Sequence, residues 1–113
     1  MKTGRNERLA EEIRKEVSQI VQYELSDPRI EDVQVTHVKM TGDLGLARVY
    51  FVMPNFPEKK KEVLKALKNA AGHVKFEIAQ TLQLKFAPQI DFVYDETLEI
   101  QKNMDELFAK IKS

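Results

Sequence analysis

The chain has 113 residues, 42% of them hydrophobic, with 18 basic and 18 acidic side chains and no cysteine. This length and apolar content suit one small domain, and the lack of cysteine excludes disulfides, thiolate metal sites and cysteine nucleophiles. No apolar stretch reaches the roughly 20 residues of a membrane span, so we expect a cytoplasmic protein. A net charge of zero excludes a global field directed at nucleic acid, so any basic surface must be local.

The first segment predicts an amphipathic helix from about Asn6 to Leu25. Its apolar residues recur at steps of three and four, with charged residues between them. "SDPR", Ser26 to Arg29, ends this helix, because proline pushes its preceding residue out of the helical region. Asp27 and Arg29 are interpreted as a structural turn in which Arg29 pairs with a nearby acid. The apolar stripe consists of Leu9, Ile13, Val17, Ile20, Val21 and Leu25.

Two strands are expected next, from Asp32 to Met40 and from Leu46 to Met53. The apolar residues of the first strand change parity midway, which predicts a bulge near Thr36 and His37. The glycines of "TGDLG", Thr41 to Gly45, are expected to supply the turn that lets the two strands pair antiparallel. The two parity sets are Val33 with Val35, and Val38 with Met40; the second strand places Ala47, Val49, Phe51 and Met53 on one face.

The lysine-rich segment from Glu58 to Leu84 has a helical period that continues in phase past Gly72. Either one helix of about 25 residues runs through the glycine, or two helices meet there. Glycine inside a helix costs about 0.5–1 kcal/mol relative to alanine, and two small residues, Ala70 and Ala71, precede it. The sequence therefore favours a break into two helices at Gly72.

The last part of the chain predicts a third strand, opened by Pro88, and a final amphipathic helix from about Thr97. The resulting order α, β, β, α, α, β, α predicts a two-layer α+β sandwich, with helices on a three-stranded sheet. A helical crossover returns the chain to the same sheet. The apolar residues are Ile90, Phe92 and Tyr94 in the strand, and Ile100, Met104, Leu107, Phe108 and Ile111 in the helix.

Five motifs in order resemble the ribosome-binding factor A family of bacterial small-subunit maturation factors. They are "RNER" at Arg5, "DPR" at Asp27, "TGDLGLARVY" at Thr41, "AAG" at Ala70 and "APQIDFVYDET" at Ala87. The resemblance implies a single KH-like RNA-binding domain of the second type over residues 1–113, ordered α-β-β-α-α-β with a C-terminal helix at 97–112. It also implies a helix-kink-helix at Ala-x-Gly, matched by Ala70, Ala71 and Gly72.

The residues offer no catalytic constellation, no P-loop or dinucleotide-binding glycine motif and no ligand set typical of a metal site, so we expect a non-enzymatic monomer that needs no cofactor and no metal and contacts no membrane. The resemblance implies a partner and a cellular role. That partner would be the free small (30S) ribosomal subunit, whose 16S rRNA the protein would help to process late in maturation, near the 5′-terminal helix. A maturation GTPase would be a second partner. The cellular role of the protein would include adaptation to cold. The family often has a longer basic C-terminal tail, whereas the last segment here, from Ala87, has three lysines against six acids.

A local basic region supports contact with RNA. Between Glu58 and Phe86 there are seven lysines against three glutamates. Lysines make phosphate contacts that are indifferent to sequence, as a reader of folded RNA requires. The alternative is that this charge is only a solvated helix face. The predicted RNA-binding residues are Arg5, Arg8, Lys68, Lys75 and Lys85, whereas Phe76, Phe86, Phe92 and Tyr94 are interpreted as core or sheet residues.

Two other functions remain open from the residues. A KH-like binder of messenger RNA would prefer short single strands, but the segment lacks the GxxG loop used for that purpose. A KH-like protein-docking domain, using the first helix or a strand edge, would fit the neutral net charge. Docking to a protein should depend little on salt, whereas phosphate contacts give a log-log slope of roughly −0.7 to −0.9 each.

Overall fold

The protein folds as a three-stranded sheet with two helices packed on one of its faces and a third helix after the last strand. The structure is a computed structural model that describes residues 4–112; residues 1–3 and 113 of the expected domain lie outside the described residues. The elements are α1 (Arg5–Gln19), β1 (Gln34–Met40), β2 (Leu46–Val52), α2 (Lys60–Thr81), β3 (Gln89–Tyr94) and α3 (Thr97–Lys112).

The first helix ends in a π-helical turn, Ile20–Glu24, which completes the helical segment expected from the sequence. The amide of Leu25 donates to the carbonyl of Ile20 at 3.1 Å, five residues back, as this wider turn requires. The turn keeps both Ile20 and Val21 buried. A short 3₁₀ turn, Pro28–Ile30, then leads into the sheet, so the predicted stop at "SDPR" is confirmed.

The sheet order is β1-β2-β3, with β1 antiparallel to β2 and β3 parallel to β2. Parallel pairing of two consecutive strands needs a crossover, and α2 provides it on the covered face of the sheet. The α+β class and its KH-like arrangement of helices and sheet are therefore confirmed. The core lies between the sheet and the two helices, where Phe51, Phe92 and Leu67 are fully buried. Each such side chain contributes about 1.5–3 kcal/mol by leaving water.

The predicted bulge in β1 is confirmed. Val35 pairs with Phe51 and His37 pairs with Tyr50, which leaves Thr36 as the extra residue. The bulge restores the burial of Val38 after the parity change. The register is fixed because a slip of one residue would send the apolar side chains of β1 to the solvent face.

The turn between β1 and β2 differs from the expectation that glycines supply its special geometry. Leu44 holds the left-handed conformation, with φ of 61°, and neither Gly42 nor Gly45 has a positive φ. Side chains hold the turn instead, because the hydroxyl of Thr41 donates to Asp43 at 2.8 Å and accepts from the amide of Leu46 at 3.1 Å. The antiparallel pairing that the turn was expected to allow is present.

The expected break at Gly72 is wrong, because α2 is one helix of 22 residues from Lys60 to Thr81. Gly72 is exposed, has no positive φ, and a Cβ atom placed there would meet open space. Neither a left-handed conformation nor a close neighbour therefore explains the glycine. Buried residues lie on both sides of it, with Val63 and Leu67 before and Val74 and Ile78 after. Packing of both halves on one core keeps the helix continuous at a cost of about 1 kcal/mol.

The third helix has the predicted amphipathic pattern, and the five apolar residues predicted for its stripe are exposed rather than packed on the domain. Among the described residues α3 forms no extensive contact with another element. Within residues 4–112, moreover, no helix has both the length and the apolar character needed to cross a membrane. The exposed apolar residues of α3 are Ile100, Met104, Leu107, Phe108 and Ile111.

Candidate RNA interface

Four lysines of α2 lie along one side of the helix, and we call this set the lysine stripe: Lys61, Lys65, Lys68 and Lys75. Steps of four, three and seven residues keep side chains on one helical face, at about 100° of rotation per residue. The stripe points away from the core face that Val74 and Ile78 occupy. Lys75 is half-buried and the other three are exposed. The structure thus brings the predicted Lys68 and Lys75 together.

Two members of this set, Lys61 and Lys65, were not among the RNA-binding residues predicted from the sequence. Their signal was present in the sequence, because both fall on the helical period that connects Lys68 with Lys75. Local spacing already joins Lys61 and Lys65 to Lys68, whereas the expected break at Gly72 would have placed Lys75 on a second helix. Because α2 is one continuous helix, all four lysines belong to the same helical face.

Gly72 lies within the lysine stripe, four residues after Lys68 and three before Lys75. With no side chain there and open space where a Cβ atom would be, the backbone of the helix is bare between the two lysines. Such a gap lets a neighbouring backbone approach closely. Gly72 therefore shapes the surface of the lysine stripe and does not mark a junction between two helices.

The charge of the lysine stripe is not neutralised within the domain. Among residues 4–112, no carboxylate forms an ion pair with a lysine of the stripe. Lys60, which lies off the stripe, differs: its Nζ is 3.5 Å from Glu96 and 4.9 Å from the ring centroid of Tyr94. The stripe therefore keeps its positive charge for an external anion.

Two aromatic residues near this basic region are exposed, contrary to the expectation that they belong to the core. Phe76 follows Gly72 by one turn and is 57% exposed, and Phe86 is 84% exposed in the segment after α2. Lys85, a predicted RNA-binding residue, is exposed beside it, with its Nζ 6.0 Å from the Phe86 ring centroid. The other two aromatics agree with the expectation, because Phe92 is buried and Tyr94 contacts Phe51 edge to face at 5.4 Å.

Arg5 and Arg8, the remaining predicted contacts, lie in the first turns of α1 and are exposed. They belong to α1, whereas the lysine stripe lies on α2. Backbone amides at the start of a helix add a partial positive charge there. Arg14, further along α1, is instead engaged with Glu11 at 2.7 Å.

The "DPR" segment is a structural turn, as expected. The Asp27 carboxylate accepts from the backbone amide of Arg29 at 3.0 Å and from its guanidinium at 2.6 Å. The Arg29 side chain is the main cause of a pKa of Asp27 below its ordinary value, and the Arg29 amide adds to it. The turn and α2 together line a shallow depression of about 300 Å³ that includes Ala66 and Ala70. Ala70 is thus a small residue beside the turn, within a continuous helix.

The two-layer arrangement with a basic helix face defines a small KH-like α+β domain. The chain belongs to the ribosome-binding factor A family, whose sequence profile, described as "Ribosome-binding factor A", matches residues 5–108. The ribosome-binding factor A of Desulfitobacterium hafniense (strain DSM 10664 / DCB-2) is 41% identical over 112 residues, which cover 99% of this chain and 90% of that protein.

Solved structures of the family share the fold. A crystal structure of ribosome-binding factor A from Thermus thermophilus matches 79% of this chain and 94% of its own, with a TM-score of 0.71 and 20% identity. A solution structure of a putative ribosome binding factor A from Thermotoga maritima matches 81% and 84%, with a TM-score of 0.62 and 28% identity. A third match is a homology model of Thermus thermophilus ribosome binding factor A fitted into the cryo-EM map of a 30S-RbfA complex; it covers 76% of this chain and 90% of its own, with a TM-score of 0.63 and 21% identity.

Proposed function

We propose that this protein binds the free small ribosomal subunit through the lysine stripe and assists late maturation of its 16S rRNA. The observation that carries the proposal is the run of four lysines on one face of α2 that form no ion pair within residues 4–112. Family membership supports the choice of partner, as does the 30S complex described for the Thermus thermophilus relative. Action near the 5′-terminal helix of the rRNA and a role in growth in the cold are parts of the proposal that rest on the family resemblance.

The contact proposed is with phosphates, and it requires no catalysis by the protein. Lysine ammonium groups spaced along one continuous helix suit the backbone of folded RNA, which is recognised by shape. Lys85 and the exposed Phe86 extend the surface beyond the end of α2, while Arg5 and Arg8 would form an outlying contact. Maturation would follow from differential affinity, because a factor that binds the immature RNA arrangement more tightly shifts the population until the mature form releases it.

The test is co-sedimentation with purified free small subunits across a salt series. We expect parental binding to weaken with salt, with a log-log slope of about −0.7 to −0.9 for each phosphate contact. The double variant Lys68→Glu with Lys75→Glu should bind more weakly and lose about 1.4–1.8 of that slope. A matched control, Lys102→Glu with Lys110→Glu on α3, makes the same change in net charge away from the stripe and should bind like the parent.

Three outcomes would count against the proposal. Equal losses in both double variants would mean that net charge, and not the lysine stripe, governs binding. Parental binding that does not change with salt would favour the protein-docking alternative. Comparison of immature with mature subunits tests the mechanism, because differential affinity requires tighter binding to the immature form. Equal affinity for the two would leave binding without a role in maturation. Circular dichroism confirms beforehand that each variant is folded.

A further inference from the structure

The face of the sheet opposite the core carries a cluster of aromatic and basic side chains that does not include any residue of the lysine stripe. α1 and α2 pack on the other face, where alternate residues of β2 and β3 are buried. The side chains of the intervening positions therefore point away from the helices. We define the open sheet face by four of these residues, His37 and Lys39 on β1, and Arg48 and Tyr50 on β2.

Two rings are stacked at the centre of the open sheet face. The centroids of His37 and Tyr50 are 4.2 Å apart, and the ring planes are inclined by only 10°. The bulge creates this pair, because the extra residue Thr36 shifts His37 into register with Tyr50. A regular strand would place Thr36 opposite Tyr50 and turn His37 toward the core. Bulges of this kind re-aim side chains, and here the result is an aromatic platform.

Two cations flank the platform. Lys39 is the registered partner of Arg48, and its Nζ lies 5.9 Å from the centroid of the Tyr50 ring. Both cations are exposed, and in the described part of the chain neither forms an ion pair with a carboxylate. Two carboxylates border this face from the β3 side, because Asp91 is registered beside Arg48 and an Asp95 oxygen lies 3.8 Å from Nδ1 of His37, so the positive charge available to a ligand is that of Lys39 and Arg48.

We propose that the open sheet face binds an unpaired segment of RNA, with a base stacked on the His37–Tyr50 pair and phosphates contacting Lys39 and Arg48. This inference rests on the proposed function and adds a second RNA surface to the lysine stripe. Stacking on an aromatic ring requires a base whose face is free, as in single strands and loops. A continuous duplex keeps its bases inside and would offer the platform no partner.

The chain contains no tryptophan, so Tyr50→Trp places a unique fluorescent reporter in the platform. We expect a short oligouridylate to quench its emission in a saturable manner, and a perfect RNA duplex to do so much less. Tyr23→Trp is the matched control, because Tyr23 is an aromatic residue on the π-helical turn that is 72% exposed. Its emission should not respond. Tyr50→Leu should weaken binding of the oligouridylate about 5- to 100-fold, and Lys39→Ala should lower the salt slope by about 0.7.

The results separate this inference from the proposed function. If oligouridylate does not quench the Tyr50→Trp protein while subunit binding still depends on Lys68 and Lys75, the open sheet face does not bind RNA. The proposed function of the lysine stripe would then still stand. Equal quenching by single strand and duplex also overturns the inference, as would an equal response of the Tyr23→Trp control. The emission of Tyr50→Trp could instead change with small subunits, independently of salt, and not with oligouridylate. That result would mean that the open sheet face contacts a protein and would overturn the inference. If the parent binds neither oligouridylate nor small subunits, the proposed function fails as well.

Discussion

The hydroxyl of Thr36 lies 3.2 Å from the carbonyl oxygen of Tyr50, so the residue left unpaired by the bulge is still joined to the neighbouring strand. The same hydroxyl is 3.2 Å from the carboxylate of Asp95, just after β3. Because the hydroxyl has a single proton, it donates to one of these two acceptors at a time, on β2 or just after β3. Such hydrogen bonds position the rings of His37 and Tyr50 by holding the backbone between them.

We predict that Thr36→Val lowers the free energy of unfolding by about 0.5–1.5 kcal/mol, because valine keeps the shape of threonine but cannot donate. The hydroxyl-retaining variant Thr36→Ser should lose less. Urea unfolding measures the change, and NMR chemical shifts of the His37 ring report whether it leaves Tyr50. If Thr36→Val is as stable as the parent, or if Thr36→Ser loses as much stability as Thr36→Val, the hydroxyl is not the main contribution of this side chain to stability.

The bulge could be predicted from sequence, whereas the continuity of α2 could not. The period of two in a strand is strict, so a change in parity between Val35 and Val38 requires an extra residue. A glycine in a helix gives a weaker signal, because its cost of about 1 kcal/mol is comparable with one packing contact. The buried residues on both sides of Gly72 outweigh that cost, and their common core is a tertiary property.

The candidate site was predicted in part for the same reason. Lys68 and Lys75 were identified from local charge, but placing Lys75 on the same face as Lys61, Lys65 and Lys68 required knowing that one helix continues past Gly72. The exposure of Phe76 could not be predicted from the sequence either, because a phenylalanine on a helix is usually buried. Which side of α2 meets the sheet decides its position, and that depends on contacts far away in sequence.

The geometry at Gly72 leads to a second prediction, that Gly72→Ala stabilises the protein by about 0.5–1 kcal/mol. The new methyl group meets open space, and the backbone has no positive φ that alanine would resist. Thermal or urea unfolding measures the gain. The reciprocal change Ala71→Gly, one residue earlier, should destabilise the helix. A loss of stability in Gly72→Ala would mean that the helix needs the glycine at this turn.

Acid should weaken the contacts of Asp95, whose pKa lies below its ordinary value. Hydrogen bonds from Thr97 are the main cause, including its backbone amide at 3.0 Å, and Thr36 and His37 add smaller contributions. A carboxylate whose pKa is lower in the folded state stabilises the fold above its unfolded pKa of about 3.9. That contribution is lost as pH falls through the folded value.

We therefore expect the unfolding free energy of Asp95→Asn to depend less steeply on pH than that of the parent, below about pH 4. The two proteins should differ most at neutral pH and converge in acid. Glu106→Gln, which removes an exposed carboxylate from α3, controls for the loss of one negative charge. Parallel curves for the parent and Asp95→Asn would show that the ionised Asp95 carboxylate does not stabilise the fold.

The apolar side of α3 is exposed, unlike the core, and substitution of one leucine in each place tests this difference. Leu107 on α3 is 57% exposed, whereas Leu67 on α2 is fully buried. We expect Leu67→Ala to lower the free energy of unfolding by about 2–5 kcal/mol, through lost burial and the cavity that remains. Leu107→Ala should change it by at most about 0.5 kcal/mol, because little apolar surface is removed from contact. Urea unfolding at matched protein concentration gives both values. A loss above about 1 kcal/mol for Leu107→Ala would mean that α3 packs on the domain in solution, since an exposed leucine has no burial of that size to lose.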